Sequence, residues 1–252
     1  MSNRTDGILV LLGTPIGNLG DCSDRMRATL EIADVIVAED TRRLRKLLVH
    51  LGISKKRFLS YHPGNFKRRT EEILEGVRSG KTVVVTTDAG MPLVSDPGWE
   101  LVSRVIQEGF QVDCVPGPSA VIQAVVLSGF RADRFCFEGF LPRTTSRRRK
   151  ILGRIAAEDR PTVVFEAPHR LLNTLCDARE VMGKDRQVAV CREMTKIHQE
   201  VVRGDLEEAI AHFSQHKPRG EFTIVFGPAG RVSIGDAKNH RKEPHRLGSE
   251  QW

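Results

Sequence analysis

Three stretches of this chain hold side chains capable of chemistry. Glu39-Asp40-Thr41-Arg42-Arg43 sets two carboxylates beside two arginines. Such crowding can orient or deprotonate a weakly acidic hydroxyl while a guanidinium holds a neighbouring phosphate. The same residues also serve structure, because Asp40 or Thr41 can cap a following helix and leave the arginines solvated. Asp88-Ala89-Gly90-Met91-Pro92-Leu93-Val94-Ser95-Asp96-Pro97-Gly98 puts one carboxylate at the head of a loop rich in Gly and Pro. Gly90 lets a ligand approach the backbone closely. An ordinary strand-to-helix turn would use these residue types for geometry alone. The third stretch, 143–150, contains five basic residues, the densest such run in the chain. As a loop over a cleft it would meet phosphate; as the start of a solvated helix it would meet water.

The elements around these stretches set where they can sit. Ile8–Leu12, Val35–Ala38, 58–61, 82–87 and Gln111–Val115 read as strands, the fourth being β-branched throughout its centre. Helices are expected over 24–33, 42–51, 66–79 and 100–108, the last opened by Asp96 as cap and Pro97 in the first turn. Residues 121–127 read as a helix apolar on nearly all sides and therefore buried. About five strand–helix alternations indicate a mostly parallel, doubly wound sheet, whose ligands bind at the carboxyl ends of the strands. The first of those ends carries Gly13-Thr14-Pro15-Ile16-Gly17-Asn18-Leu19-Gly20-Asp21. That loop is neither G-x-G-x-x-G nor a Walker loop, which argues against a P-loop nucleotide hydrolase.

After Gly129 the pattern changes. Strands are expected over 134–138, 161–166, 187–193, 197–202 and Phe222–Phe226, with a hairpin about Thr195-Lys196. A helix follows Ala167-Pro168-His169-Arg170, and another covers 205–213. The boundaries are placed at 1–117 and 118–230 for two α/β domains, followed by a basic tail, 231–252, without pattern.

Among the 252 residues, 40% are hydrophobic, enough for a substantial core. A net charge of +7 and a pI near 9.4 favour an anionic partner, nucleic acid being the commonest. Only one Tyr and two Trp are present, too few for the aromatic platforms of RNA-recognition modules. The five cysteines form no C-x-x-C pair, so a zinc site, or a disulfide framework, is not expected. Neither a signal peptide nor a membrane span is visible, and a cytoplasmic protein without membrane contact is expected.

Several motifs stand together in order: Thr14-Pro15-Ile16-Gly17-Asn18-Leu19, Ala38-Glu39-Asp40-Thr41-Arg42, the Asp88–Gly98 stretch, and Pro116-Gly117-Pro118. They continue with Phe137-Glu138-Gly139-Phe140-Leu141-Pro142, His169-Arg170, Arg192-Glu193-Met194-Thr195-Lys196 and Arg219-Gly220-Glu221. Over roughly residues 8–227 the chain resembles the bacterial ribosomal RNA small-subunit methyltransferase I family of the tetrapyrrole-methylase (class III methyltransferase) group. The resemblance implies two α/β domains, a mostly parallel sheet in the first and a mixed sheet in the second, with a cofactor cleft between them. It implies S-adenosylmethionine as methyl donor, 2′-O-methylation of a decoding-centre cytidine in 16S rRNA within the 30S subunit, and a homodimer.

By position, the resemblance assigns cofactor contacts to Pro15, Asp88, Ala89, Gly90, Met91, Ser119 and Ala120, and to Phe165, Glu193 and Met194. Met91 departs from the family pattern, which reads Asp-Ala-Gly-Thr-Pro, so a hydroxyl contact is lost there. On this reading Glu39, Asp40 and Arg42 orient or deprotonate the ribose, Arg43 meets phosphate, and Arg147, Arg148, Arg149 and Lys150 grip RNA. Two other functions share much of the sequence evidence: a same-fold methylase acting on a small molecule such as a tetrapyrrole, and a non-enzymatic RNA-binding protein. Methylation without RNA would favour the first. Failure to bind an adenosyl ligand would favour the second.

Overall fold

The computed structural model describes residues 7–230; the tail over 231–252 lies outside the described residues. The chain divides into two compact units, one ending at Ser119 and the other beginning at Ala120.

The first unit contains β1 (Ile8–Leu12), α1 (Asp24–Ile32), β2 (Val35–Ala38), α2 (Thr41–His50), β3 (Phe58–Ser60), α3 (Phe66–Arg78), β4 (Thr82–Thr86), α4 (Trp99–Gln107) and β5 (Gln111–Val115). Its strands form one parallel sheet in the order β3-β2-β4-β1-β5. Alternation along β1 explains the layers. Val10 and Leu12 pack with Met26, Leu30, Leu44 and Leu47 of α1 and α2. Leu9 and Leu11 pack with Ile73, Leu74, Val77, Leu101 and Val105 of α3 and α4. Both sheet faces are covered, which is why its strands read as continuous apolar runs. In this order β1 and β4 are central, so the loops after them open side by side.

Helix α4 starts later than expected. Its cap is Gly98 (φ 126°), not Asp96, and Asp96-Pro97 belongs to the preceding loop. A side chain at residue 98 would press on Leu93, so this left-handed position requires glycine.

The second unit contains α5 (Ala120–Ser128), β6 (Cys136–Phe140), α6 (Thr145–Ala156), β7 (Thr162–Glu166), α7 (Leu171–Met182), β8 (Gln187–Arg192), β9 (Glu200–Asp205), α8 (Leu206–Ser214) and β10 (Phe222–Phe226). The sheet order is β6-β7-β10-β8-β9, parallel between β6 and β7 and antiparallel elsewhere. Helices α6, α7 and α8 bury Leu152, Leu171, Leu175 and Phe213 against Val164, Val190 and Ile224. Asp205 caps α8 in a capping box with Glu208, fixing where β9 ends.

Three expectations change here. Helix α5 is not buried all round: Ile122 and Val126 are 51% and 74% exposed. Strand β9 begins at Glu200, because residues 193–199 are consumed by turns rather than a tight hairpin. The basic run is not a loop; residues 145–150 are the first turns of α6.

Candidate functional site

At the carboxyl end of the first sheet, four loops are fastened to one another. Thr14, after β1, and Gly90, after β4, exchange backbone hydrogen bonds of 2.9 and 3.0 Å. The Thr14 hydroxyl also donates to the Thr87 carbonyl at 3.2 Å. Gly13 and Gly117, after β1 and β5, lie so close that a Cβ on either would come within 2.8 Å of the other's backbone. Met91 completes the set. Its Sδ accepts the Gly117 N–H at 3.2 Å and lies where a Cβ on Gly13 would stand. The side chain thus faces the protein's own backbone.

The β2 end joins through Asp88. Its Oδ1 accepts the Asp40 N–H at 2.9 Å, and Oδ2 stands 3.7 Å from Arg43 Nε. Asp40 in turn caps α2 by accepting the Arg42 N–H at 2.8 Å, and clasps the Arg42 guanidinium at 2.7 Å. Hydrogen bonds from that guanidinium, then from the Arg42 N–H, hold the Asp40 carboxyl at about 2. Asp40 is therefore an anion and a structural cap together, and a poor base at neutral pH.

Asp96 behaves differently. Burial, then the charges of Glu39 and Asp88, push its carboxyl up to about 6. It makes no hydrogen bond or ion pair among the described residues. It is not the helix cap the sequence predicts, since Gly98 takes that place. The loop carrying it bends through two left-handed non-glycine residues, Leu93 (φ 70°) and Ser95 (φ 64°). Such positions cost of order 1 kcal/mol each and cluster at functional sites. Glu39, Asp40, Asp88 and Asp96 outnumber Arg42 and Arg43 at this end of the sheet, a balance that admits a cationic ligand such as a sulfonium or ammonium group.

Among the other residues of interest in the first unit, Pro15 is buried in the β1 loop, while Ala89 and Ser119 are partly buried near the β4 and β5 ends. Ala120 opens α5 of the second unit.

Within the second unit, two motifs distant in sequence interlock. Glu193 Oε1 accepts the Glu221 N–H at 2.8 Å and Lys196 Nζ at 3.0 Å, and Lys196 also meets Glu221 Oε2 at 3.0 Å. Arg192 Nε donates to the Arg219 carbonyl at 2.7 Å. Burial alone would raise the Glu193 carboxyl, but the Glu221 N–H and Lys196 outweigh it and hold it below the usual range. A side chain at residue 220 would strike that carboxylate at 2.6 Å, which accounts for glycine in Arg219-Gly220-Glu221. Thr195, at φ 68°, keeps a buried hydroxyl oxygen without a hydrogen-bond partner among the described residues. Met194 is buried, and Phe165 packs edge-on to Phe137.

The basic run divides. Arg148 is buried, donating from Nε to Asp177 Oδ2 at 2.7 Å and from Nη1 to the Arg143 carbonyl at 3.2 Å. Arg149 Nε donates to Asp177 Oδ1 at 2.8 Å. Arg148 is enclosed with the buried Asp177 of α7, whereas Arg149, which also pairs with Glu180, keeps 42% of its side chain exposed. Arg170 acts nearby: its Nη2 donates to the Leu141 and Pro142 carbonyls at 2.7 and 3.1 Å. It also stands 3.2 Å from Glu166 as an ion pair, without a hydrogen bond from Nε.

The model of the Tetrapyrrole (Corrin/Porphyrin) Methylases matches residues 9–210. Among solved structures, diphthine synthase superposes with a TM-score of 0.67 at 17% identity, covering 88% of this chain and 90% of that one. The methyltransferase CobJ gives 0.66 at 20% identity, covering 90% and 97%. Two α/β units with a parallel and then a mixed sheet thus define the class, the tetrapyrrole-methylase fold.

Nearer relatives narrow it. Ribosomal RNA small subunit methyltransferase I of Thermotoga maritima is 52% identical over 87% of this chain and 97% of its own length. Its Synechocystis namesake is 44% identical over 96% and 87%, and that of Mycobacterium tuberculosis 46% over 89% and 79%. The chain belongs to the ribosomal RNA small-subunit methyltransferase I family of tetrapyrrole methylases.

Proposed function

We propose that the protein transfers a methyl group from S-adenosylmethionine to the ribose 2′-hydroxyl of a decoding-centre cytidine in 16S rRNA. On this reading it acts in the cytoplasm, on the 30S subunit, as a homodimer. The name shared by relatives 40–52% identical supports rRNA methylation. The observation that carries the chemistry is the Asp88 carboxylate, which ties the β4 loop to the strand end bearing Glu39, Asp40 and Arg42.

The residues present fit the cofactor. S-adenosylmethionine supplies an electrophilic methyl group on a sulfonium, and the excess of Glu39, Asp40, Asp88 and Asp96 over Arg42 and Arg43 admits a cation. Pro15, Ala89, Gly90 and Ser119 would shape the pocket wall, and Met91 would contribute through its backbone, since its sulfur is engaged by Gly117; the assignment of Ala120 rests on the resemblance. For Phe165, Glu193 and Met194 the assignment rests on the resemblance alone. Toward the ribose, Arg42 and Arg43 would meet phosphate, and Glu39 would orient the hydroxyl. Proximity in line with the methyl group supplies much of the rate, and because a ribose hydroxyl is a weak acid, a neighbouring base or cation supplies more.

The test is transfer of tritiated methyl from the labelled cofactor to 30S particles lacking the modification, followed by alkaline hydrolysis. Label retained in an alkali-resistant dinucleotide identifies a 2′-O-methyl group. Label in a single free nucleotide would refute the ribose assignment, and transfer to a tetrapyrrole but not to 30S would refute the substrate.

A further inference from the structure

Six basic residues lie between Arg143 and Arg154, and the structure gives them two different tasks. Arg148 and Arg149 are spent on Asp177, with Arg149 also paired to Glu180. Arg143, Arg147, Lys150 and Arg154 are all exposed, and none makes an ion pair or side-chain hydrogen bond among the described residues. Their spacing is regular. At 100° per residue, Arg147, Lys150 and Arg154 fall within about 60° of helix circumference, on one side of α6. Arg148, Leu152 and Ile155 form the buried side, about 140° away. Ser146 and Gly153 border the stripe on one side and the partly buried Ile151 on the other.

The stripe is also held still. Arg148 binds the Arg143 carbonyl and the Thr145 hydroxyl, closing the first turn of α6 onto the buried Asp177. Arg170 fixes the two carbonyls just before it, at Leu141 and Pro142. Both ends of this entry segment are thereby pinned by arginines inside the unit. Cations without intramolecular partners, on a rigid helix face, lose little conformational freedom when an anion arrives. Successive charges lie about 4.5 and 6 Å apart along the axis, over a span of about 10 Å. A single bound ion would use one of them; a polyanion can use all.

We propose that Arg147, Lys150 and Arg154 of α6, continued by Arg143, form a contact ridge for the phosphate backbone of the RNA substrate. Arg148 and Arg149 act only as its internal anchors. The ridge contacts phosphates rather than bases, so it contributes affinity and register but no sequence choice. This inference rests on the RNA-methylation reading above.

The test uses the full chain and unmodified 30S particles. The triple variant Arg147→Gln, Lys150→Gln, Arg154→Gln changes only exposed positions and keeps good helix formers. A charge-matched control carries Arg131→Gln, Lys184→Gln and Lys217→Gln, exposed cations elsewhere in the same unit. Binding to 30S is measured against salt, and S-adenosylmethionine affinity by calorimetry. The ridge predicts that the triple variant loses on the order of tenfold or more in affinity and about 2–3 in the log–log salt slope, while cofactor affinity holds. The control should keep the wild-type slope. A triple variant with the wild-type slope, or a control that loses as much, overturns the ridge. Wild-type protein that methylates no 30S particle would instead overturn the function on which the ridge depends.

Discussion

The loops after β4 and β8 share one feature and differ in everything that holds them. Each bends through two left-handed non-glycine residues, Leu93 and Ser95 in the first, Glu193 and Thr195 in the second. The β8 loop is secured by side chains: Glu193 to Glu221 and Lys196, Gln199 to the Thr195 N–H. The β4 loop is secured at its start, through Gly90, Met91 and Asp88, and then runs on to Asp96 on the packing of Pro92 and Leu93, without side-chain hydrogen bonds among the described residues. Similar backbone strain thus serves two ends. In one loop it lets a carboxylate fold back into a structural knot. In the other it suspends a carboxylate among like charges, where its proton becomes labile near neutrality.

The largest effect should come from the residue on which the reactive end depends. Asp88→Ala removes the acceptor of the Asp40 N–H and a neighbour of Arg43, and should lower methyl transfer on the order of 100-fold or more. Thermal unfolding should shift little. If Asp88→Asn, which keeps an acceptor oxygen, restores turnover, the hydrogen bond matters more than the charge. Glu193→Ala should do the opposite: a loss of about 1–2 kcal/mol in urea unfolding, since it removes the acceptor of the Glu221 N–H and one of the two carboxylates that hold Lys196. A Glu193→Ala protein of wild-type stability would erase the contrast between the loops.

Asp96 gives a smaller effect with a definite sign. Its folded-state carboxyl, at about 6, lies above the unfolded value, so the native state binds the extra proton. Stability should therefore fall as pH rises from about 4 to 6 and stay lower above that. Asp96→Asn should remove this loss, giving a higher Tm than wild type at pH 7.5 and little gain at pH 4. Equal Tm differences at both pH values would contradict the assignment. Smallest of all, Ser95→Gly should gain about 0.5–1 kcal/mol by relieving a left-handed backbone. Thr195→Gly should gain less, because the same relief is offset by lost packing around a buried hydroxyl.

The sheets and most helices were legible because their signals are local: a β-branched run for β4, a cap at Asp40 or Thr41 for α2. So was the gathering of motifs at strand ends, since parallel topology dictates it. What could not be read were contacts that depend on the fold. Nothing near Arg148 announces Asp177, 29 residues away, so anchors and free cations looked alike in the run. Nor does the sequence near Glu193 announce Glu221 and Gly220, whose backbone closes on its carboxylate from far along the chain. Met91 looked like a lost hydroxyl, whereas its sulfur meets a backbone N–H that only β5 can deliver. Asp96-Pro97 mimicked a helix start because a proper cap and a mobile proton use the same residue type.

The touching backbones of Gly13 and Gly117 carry a consequence for how this chain can change over generations. At both positions the alphabet shrinks to one letter, because a methyl group on either would wedge apart the loops that follow two adjacent strands. No second substitution can compensate, since the obstruction is main chain and cannot be trimmed. Variation in this half of the protein must therefore flow around these two points, through positions such as 91 where a side chain can be exchanged and the junction still closed.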